Sequence, residues 1–420
     1  MKVEPVKGTR DFYPEQKFVQ DYIFKIWETT AKKFAYENID GPMLEPAKLW
    51  QMKSGSEIPE QMYTLEDKSG RLLAIRPELT PTLARMIAEK QKSLTKPIRW
   101  YSIARCWRYE QPQSGRLREF FQFNLDCLGS ESMQLDAEVI ATAIEIMKSF
   151  DLDENDFYIR LGNRKLIESM IISAGIKKSE LKDVSRLIDK LEKIGEKNFA
   201  LSMKDLKIDD EATEKLLNVL KINDVKDIDE ETLDEDGKQG LKEIKELMKY
   251  VSYYKLEKYV EFDASIMRGF DYYTSTVFEV FDRSRKYRAV AGGGRYDNLV
   301  QDFGGEKLAG VGYGMGDVVL QLFLEEKKKL PEYKKDIDYF VAVLNENCLA
   351  YAIKVAAKLR KKYNVEIEVL GRNISKQFNY ADKIKAEKVI IIGDDEVEKK
   401  LIKVKDLKTG KEEERKVEEL

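Results

Sequence analysis

The chain of 420 residues contains no histidine. Histidine bases, histidine nucleophiles and histidine metal ligands are therefore excluded as elements of any catalytic site. Cysteine is also scarce, since Cys106, Cys127 and Cys348 are odd in number and far apart in the sequence. Such cysteines form no disulfide framework, and this usage predicts a protein of the reducing cytoplasm.

Long hydrophobic runs are missing as well. No apolar stretch reaches the length of a membrane span, and the N-terminus lacks the apolar region of a signal peptide, so we expect no membrane association. Hydrophobic residues make up 43% and charged residues 35% of the chain, which predicts a folded protein of two or three domains. The net charge of −3 argues against nonspecific binding of polyanions, so any nucleic-acid contact depends on local basic patches.

The pattern of elements predicts four segments. Residues 1–163 and 257–328 mix helices with strands, and glycine is frequent in the later one. Residues 164–256 repeat Lys, Glu, Asp, Leu and Ile with helical period, which predicts a helical insertion. After a charged linker, residues 335–420 alternate strands and helices and predict a small α/β domain.

The segment 268–279 combines one arginine, one aspartate and two tyrosines with a strand pattern. Arg268 precedes Tyr272 and Tyr273, and an alternating β-branched run follows them. Arginine only donates hydrogen bonds, whereas tyrosine both donates and accepts, so the set suits a ligand with an anion and a neutral polar ring. A half-buried strand without any ligand explains the segment equally well.

Residues 98–108 and 119–128 predict two strands of a hairpin. Alternation places Arg108 and Glu110 on one face of the first strand, and Gln122 and Asp126 on one face of the second. With Arg116 in the loop, the hairpin is typical of a phosphate-binding platform. A surface hairpin with cross-strand ion pairs is the less favoured alternative, because aromatic residues are interleaved with the charges.

Three further features are weaker on their own. The glycines of 292–294 suit close approach of a ligand or strand, or a tight turn, and those of 310–316 suit a closely packed strand. Glu78 either binds an ammonium group or acts as an acid at a helix start, where Thr80 is a plausible N-cap.

Taken in order, these blocks resemble the class II aminoacyl-tRNA synthetases, and specifically the histidyl-tRNA synthetase family in an archaeal-like variant. The resemblance covers nearly the whole chain. It rests on the N-terminal segment 7–14, motif 1 around Pro42, motif 2 over 108–126, the histidine-specific motifs 268–273 and 292–297, and an anticodon-binding domain containing 376–383.

The resemblance implies an α+β fold, with an antiparallel-sheet catalytic domain, a helical insertion and a C-terminal α/β anticodon-binding domain. It implies that ATP and L-histidine form histidyl-adenylate, that Mg²⁺ takes part, and that histidine passes to the 3′ end of tRNA-His. A cytoplasmic homodimer is implied too. Attack of a carboxylate on the α-phosphate depends on the positioning of the two reactants and on cations more than on a base. A chain without histidine can therefore catalyse it.

The resemblance also implies roles for individual residues. Arg268 and Arg108 are the expected catalytic cations. The expected histidine-binding residues are Glu78, Thr80, Arg108, Gln122, Asp126, Arg268, Tyr272 and Tyr273. The expected ATP-binding residues are Arg108, Glu110, Arg116 and Gly316, and the tRNA acceptor end is expected to meet Gln113 and Arg118. No protein-bound metal site is expected.

Two departures from the family stand out. Asp126 occupies a position where the family usually has glutamate. Motif 3 ordinarily ends in a Glu-Arg pair that clamps ATP, but Val318 and Val319 stand there in this chain. The missing arginine leaves Arg116, Arg295 or Mg²⁺ as candidates for part of its role.

Two rival functions remain open on the sequence. One is a non-catalytic paralogue such as the regulatory subunit of ATP phosphoribosyltransferase, which the missing arginine favours and the intact Arg268 segment disfavours. The other is a class II synthetase for glycine, threonine or proline, against which the pair Tyr272 and Tyr273 argues.

Overall fold

A computed structural model describes residues 3–51, 57–266 and 272–419 of the chain. The chain divides into two compact units, Met1–Pro331 and Glu332–Leu420. Arg268 lies outside the described residues. In the part of the chain that is described, no helix is long and apolar enough to cross a lipid bilayer.

The first unit contains twelve α-helices and eleven strands among its described residues. The first half comprises α1 (Pro14–Lys33), β1 (Glu37–Asn38), β2 (Leu44–Pro46), α2 (Lys48–Gln51), α3 (Glu57–Gln61), β3 (Tyr63–Glu66), β4 (Leu72–Ile75), α4 (Thr80–Lys90), β5 (Ile98–Trp107), β6 (Glu119–Leu128) and α5 (Met133–Lys148). The second half comprises β7 (Phe157–Asn163), α6 (Arg164–Ser173), α7 (Leu181–Ile188), α8 (Leu191–Asp205), α9 (Asp210–Val219), α10 (Glu235–Tyr253), β8 (Val260–Phe262), β9 (Thr276–Asp282), β10 (Ala291–Tyr296), α11 (Leu299–Asp302), β11 (Gly310–Gly316) and α12 (Asp317–Glu326).

An eight-stranded sheet forms the centre of this unit, in the order β1-β5-β6-β11-β10-β9-β7-β8. All neighbours are antiparallel except the two edge pairs, β1 with β5 and β7 with β8. A second sheet has the order β2-β4-β3. The predicted antiparallel catalytic sheet is thereby confirmed.

One face of the large sheet packs on helices α1 and α5. Trp27 of α1 stacks on Phe123 of β6 with the ring centroids 5.6 Å apart, and both side chains are fully buried. Since successive strand residues point to opposite faces, the burial of Phe123 and Leu125 in this core directs Gln122, Asn124 and Asp126 to the other face. That second face carries the polar groups of the candidate site.

Helices α6 to α10 occupy the segment predicted as a helical insertion. Leu166 of α6 and Leu247 of α10 belong to the same hydrophobic cluster as Phe123, while Phe199 of α8 packs in a second cluster that includes Tyr272. Asn163 caps α6 by accepting a hydrogen bond from the backbone of Leu166. The exact limits of the predicted insertion, 164–256, remain a prediction.

The second unit has a five-stranded sheet in the order β13-β12-β14-β15-β16. Its elements are β12 (Tyr339–Val343), α13 (Leu349–Leu359), β13 (Val365–Ile367), α14 (Ile374–Lys383), β14 (Lys388–Ile392), α15 (Asp394–Lys399), β15 (Ile402–Asp406) and β16 (Glu412–Arg415). Strand β12 is parallel to β13 and β14, and the last three strands are antiparallel. This confirms the predicted α/β pattern, whereas the short helix α15 was not predicted.

Candidate active site

The floor of the candidate site is the face of β6 that carries Gln122, Asn124 and Asp126. Strand β11 pairs beside it, with Gly312 opposite Asp126 and Gly316 opposite Gln122. A Cβ atom on Gly312 would lie 2.1 Å from Oδ1 of Asp126. Glycine is therefore needed on β11 so that the polar side chains of β6 can lie over the neighbouring strand.

Asp126 is the most deeply buried acid of this face, with 2% of its surface exposed. The hydroxyl of Tyr296 on β10 donates a hydrogen bond to its Oδ1, while Oδ2 has no hydrogen-bond partner among the described residues. Burial raises the pKa of Asp126 to about 7, against the opposing effect of the Tyr296 hydrogen bond. A buried acceptor of this kind is suited to an N–H group of a ligand.

Tyr272 and Tyr273 lie beside this carboxyl. Their ring centroids are 5.0 Å apart, and the ring of Tyr272 meets that of Tyr296 edge to face at 6.0 Å. Burial is the main cause that raises the pKa of both phenols, and the nearby carboxylates of Glu78 and Asp126 raise the pKa further. The structure therefore brings together four of the residues expected to bind histidine.

Glu78 and Thr80 lie at the start of α4, and both are buried. Thr80 is the first residue of the helix and not its N-cap, because Leu79 holds that position without a side-chain hydrogen bond. The guanidinium Nε of Arg108 donates to the backbone oxygen of Pro77 at 2.9 Å. This bond fixes Arg108 beside the segment that carries Glu78.

Strand β5 ends at Trp107, so Arg108 and Glu110 do not share a strand face as alternation predicted. They lie instead at the start of the loop that leads to β6. There the guanidinium of Arg108 stands 5.3 Å from the ring centroid of Phe120. Glu110 pairs with Arg116 at 3.0 Å across the loop.

This loop holds the two residues expected to meet tRNA, Gln113 at its tip and Arg118 at its base, next to the start of β6. The backbones of Gln113 and Arg116 exchange hydrogen bonds of 2.8 and 3.0 Å, which closes a tight turn. Arg118 lies over the ring of Tyr109 at 4.1 Å and donates to the backbone oxygen of Glu110. Gln113 is exposed, so a macromolecule can reach it.

Helix α12 begins where motif 3 is expected. Its first residue, Asp317, accepts a hydrogen bond from the backbone of Phe121 at 2.9 Å and one from the guanidinium of Arg10 at 2.6 Å. Burial raises the pKa of Asp317, and the positive charge of Arg10 opposes that rise. This contact between residues 307 positions apart joins the N-terminal segment to β6 and α12, and the sequence alone did not indicate it.

Arg295 was a candidate to replace the motif 3 arginine, and the structure contradicts that role. The alternation of β10 puts Tyr296 on the face of the site and Arg295 on the opposite face. There Arg295 is 2% exposed and forms a buried ion pair with Asp136 of α5. A guanidinium committed to the core is unable to contact a nucleotide on the other side of the sheet.

A cavity of about 500 Å³ opens beside the polar face. Gln113 and Arg116 line it, and so do Glu279 of β9 and Val319 of α12. Gly316 is expected at the ATP site, and no atom of the described residues lies within 4 Å of the position of a Cβ on it. Open space thus lies between the loop after β5 and the start of α12.

Sequence reasoning missed three polar residues of this face, namely Asn124, Glu279 and Tyr296. Asn124 and Glu279 are buried, and Tyr296 is hydrogen-bonded to Asp126. The alternation that predicted the positions of Gln122 and Asp126 would also have predicted that of Asn124. Placing Glu279 and Tyr296 requires the order of the strands, which one sequence does not provide.

Comparison with known proteins agrees with this geometry. A family described as histidyl-tRNA synthetase matches residues 8–316, and one described as anticodon binding domain matches residues 338–420. A histidine–tRNA ligase from Leptospira biflexa is 38% identical over 418 residues, covering 97% of this chain and 94% of that protein. One from Pyrococcus furiosus is 34% identical over 425 residues, covering 100% and 98%.

Solved structures give the same result. The crystal structure of histidyl-tRNA synthetase from Nostoc sp. PCC 7120 superposes with a TM-score of 0.83 at 27% identity, covering 100% of this chain and 99% of that one. The fold, the two matched domains and the relatives converge, and the chain belongs to the histidyl-tRNA synthetase family.

Proposed function

We infer that this chain is a histidine–tRNA ligase. It activates L-histidine with ATP to histidyl-adenylate and transfers histidine to the 3′ end of tRNA-His. The observation that carries the choice of amino acid is Asp126, a buried carboxyl with one oxygen bound by Tyr296 and the other facing no described partner. Together with the neighbouring phenols, it matches a ring that offers one N–H donor and one acceptor nitrogen.

In the first step the carboxylate of histidine attacks the α-phosphorus of ATP, and pyrophosphate leaves. The carboxylate of an amino acid is ionised at neutral pH, so the attack requires no base. Arg108 and Arg268 supply positive charge to the substrate carboxylate and to the α-phosphate, where negative charge develops. Arg108 suits this role because its guanidinium is held by the backbone oxygen of Pro77.

The amino acid is held at its other end by the polar face of β6. Gln122, Glu78 and Thr80 bind the ammonium group, and Asp126, Tyr272 and Tyr273 bind the imidazole ring. The role of Asp126 is supported by its Oδ2, a buried oxygen without a hydrogen-bond partner among the described residues, since a buried acceptor is costly when it is unpaired. Glu78 is buried close to Tyr272 and Tyr273, which supports its role at the same ligand. Loss of a ring nitrogen in a substrate analogue leaves buried groups unpaired, and we expect discrimination by roughly 10⁴.

ATP lies between the loop after β5 and the start of α12. Glu110, Arg116 and Gly316 contribute to this part, supported by the cavity that Arg116 lines and by the open space at Gly316. Mg²⁺ fits as a partner of the phosphates. No group of three or more metal-ligating side chains is found among the described residues. This ion is usually bound by phosphate oxygens together with one or two carboxylates. Glu279 is one of the carboxylates in the cavity wall.

Exchange of radioactive pyrophosphate into ATP tests the activation step. We expect exchange with histidine and none with glycine, threonine or proline at equal concentration. No exchange with any amino acid would instead favour the regulatory paralogue.

The second unit binds the anticodon of tRNA-His, and the loop residues Gln113 and Arg118 meet the acceptor end. Removal of residues 335–420 should therefore spare pyrophosphate exchange and nearly abolish charging of tRNA-His. A truncated protein that charges tRNA as well as the full chain does would refute this assignment.

The enzyme acts as a homodimer in the cytoplasm. The resemblance to motif 1 supports the dimer, as do Leu44, Leu65 and Leu72, which are 40 to 51% exposed on the smaller sheet of the first unit. The three cysteines are buried free thiols, which agrees with a reducing compartment. Light scattering on the purified chain should give twice the monomer mass, and cell fractionation tests the compartment.

A further inference from the structure

The cavity beside the polar face is lined by more cationic than acidic side chains. Six cationic and three acidic side chains line it: Arg116, Arg160, Lys193, Arg285, Lys286 and Arg288 against Asp189, Glu192 and Glu279. Its volume of about 500 Å³ is in the range of sites for nucleotide-sized ligands. Arg116, Arg160 and Lys286 also pair with acids outside the lining, namely Glu110, Asp263 and Glu326, so position and not net charge selects the residue proposed below.

Val319 occupies this cavity wall where motif 3 of the family has its arginine. A Cβ atom on Gly115, in the loop after β5, would lie 3.2 Å from Cγ2 of Val319 and 3.8 Å from Cδ of Arg288. Val319 and the alkyl stem of Arg288 therefore adjoin the same residue of the loop. The short apolar side chain of Val319 leaves space beside this loop residue, and the longer side chain of Arg288 extends into that space.

The segment that carries Arg288 is anchored to the start of α12. The backbone N–H of Val290 donates to the oxygen of Val280 at 2.8 Å, and the N–H of Gly316 donates to the oxygen of Val290 at 3.2 Å. Arg288 thus stands two residues before a backbone that is bonded directly to the entry of α12. This connection fixes where the side chain of Arg288 begins, and the residue is exposed in the wall of the cavity.

We propose that Arg288 grips the phosphate chain of ATP and replaces the arginine that motif 3 lacks at position 319. The proposal rests on the function inferred above and names one further residue of that site. A guanidinium binds phosphate oxygens through two parallel N–H groups, which fixes direction as well as charge. The arginine that binds the phosphates thus comes from the connection between β9 and β10 instead of from helix α12.

Arg285 is a matched control in the same wall. Its guanidinium donates to the hydroxyl of Tyr158 at 2.7 Å and pairs with Glu192 at 2.5 Å. These contacts direct it toward β7 and α8 and away from the loop that holds Gly115. Removing Arg285 subtracts the same charge from the cavity without removing the proposed contact.

The test is the KM for ATP in pyrophosphate exchange with saturating histidine. We expect Arg288→Ala to raise it about 10- to 100-fold and Arg288→Lys to raise it less, since an ammonium group makes only point contacts. The KM for histidine should stay within about twofold, and Arg285→Ala should change the KM for ATP by no more than about threefold. Adding Val319→Arg to Arg288→Ala should restore at least part of the affinity for ATP.

A normal KM for ATP in Arg288→Ala, or equal increases in Arg288→Ala and Arg285→Ala, would overturn the proposal. Thermal unfolding of each variant identifies a loss that comes from misfolding, and in that case Arg288→Lys and the double variant decide. If the unaltered protein shows no exchange with histidine, the function inferred above fails. Calorimetric titration with ATP, comparing the unaltered protein with Arg288→Ala, then still tests the role of Arg288.

Discussion

Asp126 and Arg116 represent two ends of the site that are built in different ways. Asp126 lies in the middle of β6, is 2% exposed and shares its hydrogen bond with Tyr296 of β10. Arg116 lies at the tip of the loop after β5, with a third of its side chain exposed. At the end assigned to the imidazole ring, Asp126 and its partner Tyr296 stand on strands, although Tyr272 and Tyr273 precede β9. At the end assigned to the phosphates, Arg116 stands on a loop.

This difference follows from what each end has to recognise. A ring with one donor and one acceptor requires fixed partners, and a sheet holds side chains within a narrow range of positions. A phosphate chain accepts guanidinium groups from several directions, so an arginine can come from different elements of the fold. The residues that bind the imidazole ring must therefore stand at fixed positions in the chain. The arginine that binds the phosphates can come from position 288 in place of position 319, as we propose.

The largest effect is expected at Arg268, which is assigned to the reacting groups between the imidazole end and the phosphate end. Arg268→Ala should slow histidine activation by about 10²- to 10³-fold, because the lost cation acts where charge develops in the transition state. The affinity for histidine should fall only slightly. Presteady-state measurement of adenylate formation separates the two quantities, and equal losses of rate and binding would indicate a ground-state role.

A smaller effect is expected when the imidazole end alone is changed. Asp126→Asn should raise the KM for histidine about 10- to 100-fold, because a hydrogen bond from the ring to a charged acceptor is lost. The KM for ATP should stay the same, since the phosphates lie over other elements. Parallel increases in both values would break the distinction between the two ends.

The same variant has a consequence for stability. The pKa of Asp126 is raised to about 7 in the folded chain, so between about pH 4 and pH 7 the folded state binds more protons than the unfolded state. Its contribution to stability therefore falls as the pH rises through that window and is constant above it. Asp126→Asn should be more stable than the unaltered protein at pH 8 by roughly 1–3 kcal/mol, with little difference at pH 4. Urea unfolding at both values measures this.

Local pattern was enough to predict much of the fold. The strands β5 and β6 were predicted to within one residue, because a polar loop separates two apolar-rich runs and β6 alternates from Phe121 to Cys127. The elements of the second unit were found for similar reasons. Local pattern also placed Gln122 and Asp126 on one face. It failed at the end of β5, where the chain leaves the sheet at Trp107 and alternation no longer applies.

Contacts between distant segments were beyond the sequence. Tyr296 reaches Asp126 across 170 positions because β11 and β10 are inserted beside β6 in the sheet. The same order of strands directs Arg295 into the core, whereas the sequence had left it as a candidate for the role of the motif 3 arginine. Propensity and alternation describe one strand at a time, and they carry no information on which strands become neighbours.

The smallest effect is expected from substitutions at two glycines of β11, one at each end of the site. A Cβ atom at Gly314 would lie 2.4 Å from Nε2 of Gln122, whereas one at Gly316 would have no atom within 4 Å in the part of the chain that the structure describes. Gly314→Ala should displace Gln122, raise the KM for histidine about 3- to 10-fold and cost about 1–3 kcal/mol of stability. Gly316→Ala should leave both quantities nearly unchanged. If the two variants behave alike in histidine kinetics and thermal unfolding, the strands do not hold the imidazole end as tightly as their packing indicates.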